Sequence, residues 1–241
     1  EELKKVQKEL NGQFPDSHLE TYQADVSRPE EIKALVKKTT DVFDGIDVLV
    51  NAAGIYGPIG PSEKIDLAHW KKTFEVNTFG TFQMIREVAP AMQSQRKGKI
   101  INFSGGGDGP LSRFSAYSAS KAAVVRLTET LAEEFKEYNI DINVIAPGAV
   151  NTQFLEQALA AGEELVGKER YQKLLKQKKE GGTAPELAAS LCVFLASSCS
   201  DGLSGKFLSA VWDDWKNLDK EKIEKLMKNN IFTLRRVNPS S

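Results

Sequence analysis

The segment KIINFSGGGDG, from Lys99 to Gly109, joins an apolar run to a polar, glycine-rich turn. The same succession recurs in IDVLVNAAG, Ile46 to Gly54, and in INVIAPGAVNT, Ile142 to Thr152. Apolar runs of this kind are typical of strands buried on both faces of a parallel sheet. Because the carboxyl ends of parallel strands meet at one edge, we expect the three turns to lie together where ligands bind.

Two further runs complete the predicted sheet, one over His18–Asp25 and one over Gly205–Val211. The first alternates apolar and polar residues, which is typical of an outer strand. Helix-forming segments fill the gaps, and this alternation predicts an α/β fold with a doubly wound, Rossmann-like parallel sheet. We expect one domain over residues 1–241, in which residues 151–182 form a lid over the substrate and residues 212–241 form a C-terminal extension.

The composition of the chain narrows the possible functions. The 241 residues are 41% apolar, which allows a sizeable core, and the net charge of −1 points to neither a nucleic acid nor a membrane as partner. The two cysteines form no metal-binding or disulfide pattern, and with only two histidines we expect no metal centre. No apolar run reaches membrane-spanning length and no signal peptide is seen, so we expect a cytoplasmic protein.

The helical segment from Ser115 to Phe135 carries Tyr117 and Lys121 four residues apart. This spacing places both side chains on one helix face. A neighbouring cation favours the phenolate, which suits a tyrosine that exchanges a proton near neutral pH. The alternative interpretation is a surface helix with an incidental tyrosine and lysine, and the rest of the chain must decide between them.

The ordered motifs of the chain resemble those of the short-chain dehydrogenase/reductase family. The matching residues are Asp25-Val26, NAAG at Asn51–Gly54, NTFG at Asn77–Gly80, Ser104, YSASK at Tyr117–Lys121, and the P-G-x-x-x-T pattern at Pro147–Thr152. The resemblance implies an oxidoreductase that uses NAD or NADP to transfer hydride to or from a small carbonyl or alcohol. It also implies a homodimer or homotetramer, which agrees with the wide apolar band of the helix around Tyr117.

The resemblance implies four catalytic residues. Tyr117 would be the general acid/base, Lys121 would lower its pKa and bind the nicotinamide ribose, and Asn77 would support a proton-relay water. Ser104 would orient the substrate oxygen, since it lies thirteen residues before Tyr117. Aligning the strand end instead would place Gly105 at that position, and Ser112 and Ser115 are then the remaining candidates. In the turn, Asp108 is either a turn residue or a ligand for a substrate hydroxyl.

The resemblance also implies the residues that contact the cofactor. They are Asp25 and Val26 at the adenine, Asn51, Ala52 and Gly54 along the groove, Tyr117 and Lys121 at the nicotinamide ribose, and Pro147, Gly148, Val150 and Thr152 at the nicotinamide. Ala52 replaces an asparagine that is frequent in the family. Phe154, Leu155, Leu159 and Leu165 could line the substrate space from the lid. The many charges of the lid favour a small polar carbonyl or a polyol-like alcohol.

The sequence departs from the family pattern at its start. The glycine-rich phosphate loop is not found, and we expect the first β-α-β unit to be missing from the chain as given. The strand at Ile46–Asn51 would then have an unpaired edge. Two functions remain open, an active oxidoreductase or a cofactor-free, inactive relative that serves as a binding or scaffold protein. Retention of the four catalytic residues favours the enzyme.

Overall fold

A computed structural model describes residues 2–105 and 109–235. The helices are α1 (Glu2–Gln13), α2 (Pro29–Phe43), α3 (Leu67–Phe74), α4 (Thr81–Gln95), α5 (Ser115–Phe135), α6 (Gln153–Val166), α7 (Lys168–Glu180), α8 (Pro185–Ala196) and α9 (Lys220–Met227). A π-helical segment, Glu75–Gly80, joins α3 to α4. Short 3-10 turns occupy Ser62–Lys64, Lys136–Tyr138, Ser198–Ser200 and Trp215–Asn217. None of the described helices is long and apolar enough to span a lipid bilayer.

Four parallel strands form the sheet in the order β1-β2-β3-β4. They are β1 (Val48–Asn51), β2 (Gly98–Phe103), β3 (Ile140–Ala146) and β4 (Phe207–Ser209). The sheet lies between helices, with α2, α4 and α5 packed on one face and α8 on the other. This arrangement confirms the predicted α/β fold and brings the three polar turns to one edge of the sheet.

The predicted strand at His18–Asp25 is wrong. The structure has no strand between α1 and α2, and the segment is held instead by side chains, since Gln7 donates to the Leu19 carbonyl over 2.9 Å. A strand needs a hydrogen-bonded neighbour to be stable, and no described strand lies beside this segment. Within the described residues β1 pairs only with β2.

The amino end of the sheet carries a buried ion cluster on the side opposite the polar turns. Lys99 Nζ lies 2.7 Å from a carboxylate oxygen of Asp141 and 2.7 Å from one of Asp201. The Lys99 side chain is only 8% exposed, so the two carboxylates replace the water that it loses. This cluster ties β2, β3 and the loop after α8 together.

The C-terminal extension packs on its own chain. Trp215 is buried against α8 and donates to the Ala210 carbonyl over 3.1 Å. Lys206 Nζ donates to the carbonyls of Asn229 and Ile231, at 2.9 and 3.1 Å. The tail then runs beside β4, where the Phe207 amide donates to the Phe232 carbonyl over 2.8 Å.

Candidate active site

Helix α5 buries the Tyr117 and Lys121 side chains together near its amino end. Tyr117 is 7% exposed and Lys121 is 4% exposed. Lys121 Nζ donates to the carbonyl of Phe103, the last residue of β2, over 2.9 Å. Burial lowers the pKa of Lys121 to about 8, because the charged ammonium loses its water. The shared helix face predicted from the spacing is therefore present at the carboxyl edge of the sheet.

The pKa of Tyr117 differs from the expectation. Burial of the phenol raises its pKa above the ordinary value, and the neighbouring Tyr56 raises it further. The expected lowering by Lys121 is not seen in this structure, since the ammonium is directed at the Phe103 carbonyl and its own charge is disfavoured by burial. Tyr117 is therefore protonated at neutral pH and can donate its proton.

Ser104 and Gly105 lie where β2 ends, beside α5. The Ser104 hydroxyl is buried and has no hydrogen-bond partner within the described parts of the chain. A Cβ atom on Gly105 would lie 2.9 Å from Tyr117 Oη, so the backbone approaches the phenol too closely for any larger residue. Of the other candidates, Ser115 accepts a hydrogen bond from Trp70, and Ser112 lines a separate cavity. Asp108 lies outside the described residues.

Asn77 lies in the π-helical segment and is completely buried. Its Oδ1 accepts from the Ile55 amide over 2.8 Å, and its Nδ2 donates to the Ile55 carbonyl and to Ser120 Oγ. Both amide hydrogens are therefore used within the protein, which leaves none to donate to the expected relay water. The π turn displaces one residue from the regular helix and aims this side chain at the turn after β1.

The turn after β1 forms one wall beside these groups. A Cβ atom on Gly54 would lie 3.2 Å from Asn77 Oδ1 and 3.4 Å from Lys121 Nζ, so this close approach requires glycine. Asn51 is buried and donates to Asn102 across the sheet over 2.9 Å, while Ala52 is exposed at the edge. The Asn51 side chain therefore faces the sheet. The backbone of this turn and the Ala52 side chain are the groups that can face a ligand.

Asp25 and Val26 lie just before α2. Asp25 accepts hydrogen bonds from the amide and the hydroxyl of Ser27, which lower the pKa of its carboxyl group. Val26 packs against Gly80 at the end of the π segment, where a Cβ would come within 2.9 Å of it. The π segment therefore contacts both predicted sides of the cofactor groove, through Asn77 and through Gly80.

The loop after β3 is connected to residues 151–182, the segment that we predicted to be a lid. Gly148 has a φ of 86°, and Val150 forms a bridge with Thr183 at the end of the lid. Gln177 of α7 donates to the carbonyl of Ala149 over 3.0 Å. The loop carries the other predicted cofactor residues, with Pro147 partly buried and Thr152 exposed at the start of α6.

An aromatic cluster covers Tyr117. The Tyr56 ring centroid lies 4.7 Å from that of Tyr117 and 4.6 Å from that of Phe154 in α6. The lid also supplies Leu155, which is buried, and Leu159. Lys178 of α7 pairs with Glu156 of α6 on the outer face of this segment, whereas its apolar side chains pack toward Tyr117.

A cavity of about 600 Å³ adjoins this cluster. Gly60, Arg113 and Leu165 line it, and each is a sequence neighbour of a cluster member. Leu165 is 42% exposed and faces this cavity rather than Tyr117.

Two residues of the site were not predicted from the sequence. Tyr56 forms the centre of the aromatic cluster, and its only signal was its position two residues after the NAAG motif. Arg170 in α7 acts on the Tyr56 phenol, whose pKa it lowers against the larger effect of burial. Among the many charges of α7, no pattern distinguished Arg170.

Comparisons with known proteins agree with this geometry. The family model described as short chain dehydrogenase matches residues 1–162. The chain is a member of the short-chain dehydrogenase/reductase family. Its reaction class is therefore hydride transfer between a nicotinamide cofactor and a carbonyl or alcohol. The NAD-dependent glycerol dehydrogenase of Listeria innocua is 31% identical over 210 residues, which cover 86% of this chain and 79% of that protein.

Levodione reductase is similar in sequence and in structure. The protein of Leifsonia aquatica is 33% identical over 189 residues, 77% of this chain and 71% of the relative. A crystal structure of levodione reductase has a TM-score of 0.78 and 27% identity over 92% of this chain and 84% of that one. The NADP-bound structure of ElxO has a TM-score of 0.68 and 28% identity over 78% of this chain and 75% of that one. The relatives support NAD or NADP as cofactor without distinguishing them.

Proposed function

We propose that Tyr117 is the general acid/base of an NAD(P)-dependent oxidoreductase acting on a small carbonyl or alcohol. The observation that carries this proposal is the burial of Tyr117 and Lys121 on one face of α5, at the carboxyl edge of the sheet and beside Ser104. A carbonyl oxygen that reaches the phenol develops negative charge as its carbon is reduced, and the protonated phenol supplies the proton.

Ser104 is the second group that we assign to the substrate oxygen. Its hydroxyl is buried without a partner among the described residues, and such a donor costs free energy until a ligand accepts from it. A substrate oxygen that reaches the phenol would satisfy this donor and would be oriented toward Tyr117. The hydroxyl of Ser104 is therefore available to a substrate oxygen in the ligand-free protein.

The cofactor would lie along the edge from Asp25 to Thr152. Lys121 would hold its ribose, the exposed edge from Asn51 to Gly54 would line its groove, and the loop from Pro147 to Thr152 would hold the nicotinamide. Gly54 lies beside both Asn77 Oδ1 and Lys121 Nζ, so the turn after β1 borders the group that would hold the ribose. When bound, the nicotinamide supplies the hydride, which no side chain can provide.

Asn77 and the lid have positioning roles in this proposal. Asn77 fixes both polar groups of Ile55, and thereby the backbone that carries Gly54 and Tyr56. Residues 151–182 act as a lid, since α6 brings Phe154 onto Tyr117 and excludes water from the phenol. Opening of this lid would admit the substrate from the adjoining cavity.

The test is the Tyr117→Phe variant, with Tyr138→Phe as a matched control at the far end of α5. Reduction of a panel of aryl and cyclic ketones is followed with NADH and with NADPH. We expect Tyr117→Phe to lower kcat by about two to four orders of magnitude and to leave dinucleotide affinity largely intact, because the proton donor is removed while Lys121 remains at the ribose. Activity within a few-fold of the parent would exclude this role. A parent protein that binds neither dinucleotide would favour the inactive scaffold.

A further inference from the structure

Arg170 lies in the first turn of α7, on the helix face that packs toward the aromatic cluster over Tyr117. Leu174, four residues later, is buried in the same cluster as Tyr117. Residues four apart share one helix face, so Arg170 also faces inward, one turn toward the helix start. Its Nε atom is buried and its side chain is partly buried. The guanidinium therefore lies at the rim of the space above Tyr117.

No carboxylate neutralises this guanidinium within the described part of the chain. Its Nε has no hydrogen-bond partner. Of the acidic residues close to it in sequence, Glu169 pairs with Lys173 over 2.7 Å, Glu163 accepts from Gln172 over 3.2 Å, and Glu164 lines the cavity beside Arg113. A partly buried cation without a counter-ion is unfavourable, and an anion that binds beside it is correspondingly favoured.

The surroundings of Arg170 define the rest of the ligand. The charge of Arg170 lowers the pKa of the Tyr56 phenol. Phe154 and Phe114 pack on Tyr56, with ring centroids 4.6 and 5.2 Å away. These rings pack on one another and on Tyr117, so the region beside the guanidinium is apolar. They favour a flat, apolar body.

We propose that Arg170 recognises a carboxylate on the substrate, so that the substrate is a ketone or alcohol with a flat apolar body and an anionic end. This inference rests on the proposed function, since it places the reacting carbonyl at Tyr117. The planar guanidinium matches a carboxylate through two parallel hydrogen bonds. Arg170 is thus a specificity-determining residue that acts away from the reacting atoms.

Binding and turnover are measured separately with matched probes. Calorimetry compares 4-ethylbenzoate with the neutral 4-ethylbenzamide, neither of which carries a reducible ketone. Turnover compares reduction of 4-acetylbenzoate with that of 4-acetylbenzamide. The proteins are the full chain, Arg170→Gln, Arg170→Lys, and Lys168→Gln as a control, because Lys168 is an exposed cation of the same helix turn.

We expect the parent and Lys168→Gln to prefer each carboxylate over its amide by about 10- to 100-fold, in Kd and in kcat/KM. Arg170→Gln should abolish the preference by weakening only the carboxylate, and Arg170→Lys should retain part of it. Equal affinities in the parent, an undiminished preference in Arg170→Gln, or an effect confined to dinucleotide affinity would overturn the inference. If the parent reduces neither ketone but still prefers 4-ethylbenzoate in calorimetry, the result contradicts the proposed function and leaves the role of Arg170 standing.

Discussion

Replacement of Lys121 by Met should stabilise the ligand-free protein in a pH-dependent way. Burial lowers the pKa of Lys121 from its ordinary 10.5 to about 8. Below pH 8 the folded protein must keep a charged ammonium away from water, and the cost relative to an exposed lysine is about 3 kcal/mol. Between these two pKa values the unfolded chain holds a proton that the folded chain has released, so stability rises with pH.

The magnitude is clearest as a difference between two pH values. From pH 8 to pH 9.5, the parent should gain about 2 kcal/mol in the free energy of unfolding, whereas Lys121→Met lacks this gain. Loss of the hydrogen bond to the Phe103 carbonyl lowers the stability of the variant by about 1 kcal/mol at every pH and cancels in the comparison. The advantage of Lys121→Met at pH 6.5 should therefore shrink by about 2 kcal/mol at pH 9.5.

The assay is urea unfolding followed by tryptophan fluorescence, at pH 6.5, 8.0 and 9.5 and constant ionic strength. The control is Lys97→Met, an exposed lysine at the turn before β2, whose replacement should change stability equally at each pH. A stability difference between the parent and Lys121→Met that does not vary with pH would refute the reasoning. It would show that the ammonium is hydrated in the folded protein.

Three further predictions follow from the described contacts. Ser104→Ala should raise the free energy of unfolding by about 1 kcal/mol, because it removes an unpaired hydroxyl, yet lower kcat by about 100-fold. An unchanged kcat, measured beside Gly105→Ala as a variant that crowds the Tyr117 phenol, would contradict the role of Ser104. Lys99→Met should lower the free energy of unfolding by about 2 kcal/mol, since the largely buried Asp141 loses its ammonium partner, whereas the double variant with Asp141→Leu should recover part of the loss in a urea titration. Light scattering at micromolar concentration should show a dimer or tetramer, and a monomer at all concentrations would exclude the oligomer proposed from the apolar band of α5.

The central strands and helices could be predicted because each depends on local pattern. The apolar runs that became β1, β2 and β3 kept the predicted order, and the spacing of Tyr117 and Lys121 placed both on one helix face. The segment His18–Asp25 failed for a reason that pattern cannot show. Alternation describes a strand's faces, but its existence depends on a neighbour that supplies hydrogen bonds.

The parts of the site that were missed depend on contacts distant in sequence. Tyr56 and Phe154 meet over Tyr117 only because the turn after β1 and the lid converge in space. The Tyr117 pKa is set by burial, which an isolated helix does not reveal, and the proximity of a lysine in sequence pointed in the opposite direction. Arg170 became notable only when the partners of the other charges in α6 and α7 were known.

The two edges of the sheet differ in a way that limits how copies of this chain can associate. The tail beside β4 occupies one edge, whereas β1 leaves the other without a strand partner in the described residues, and Val48 and Val50 are 37% and 45% exposed. Growth of a continuous intermolecular sheet requires two free edges on every molecule. A molecule with a single free edge can join one other across a twofold axis and then stops. Because the tail covers the β4 edge, we expect edge-to-edge pairing of this chain through β1 to end at two copies.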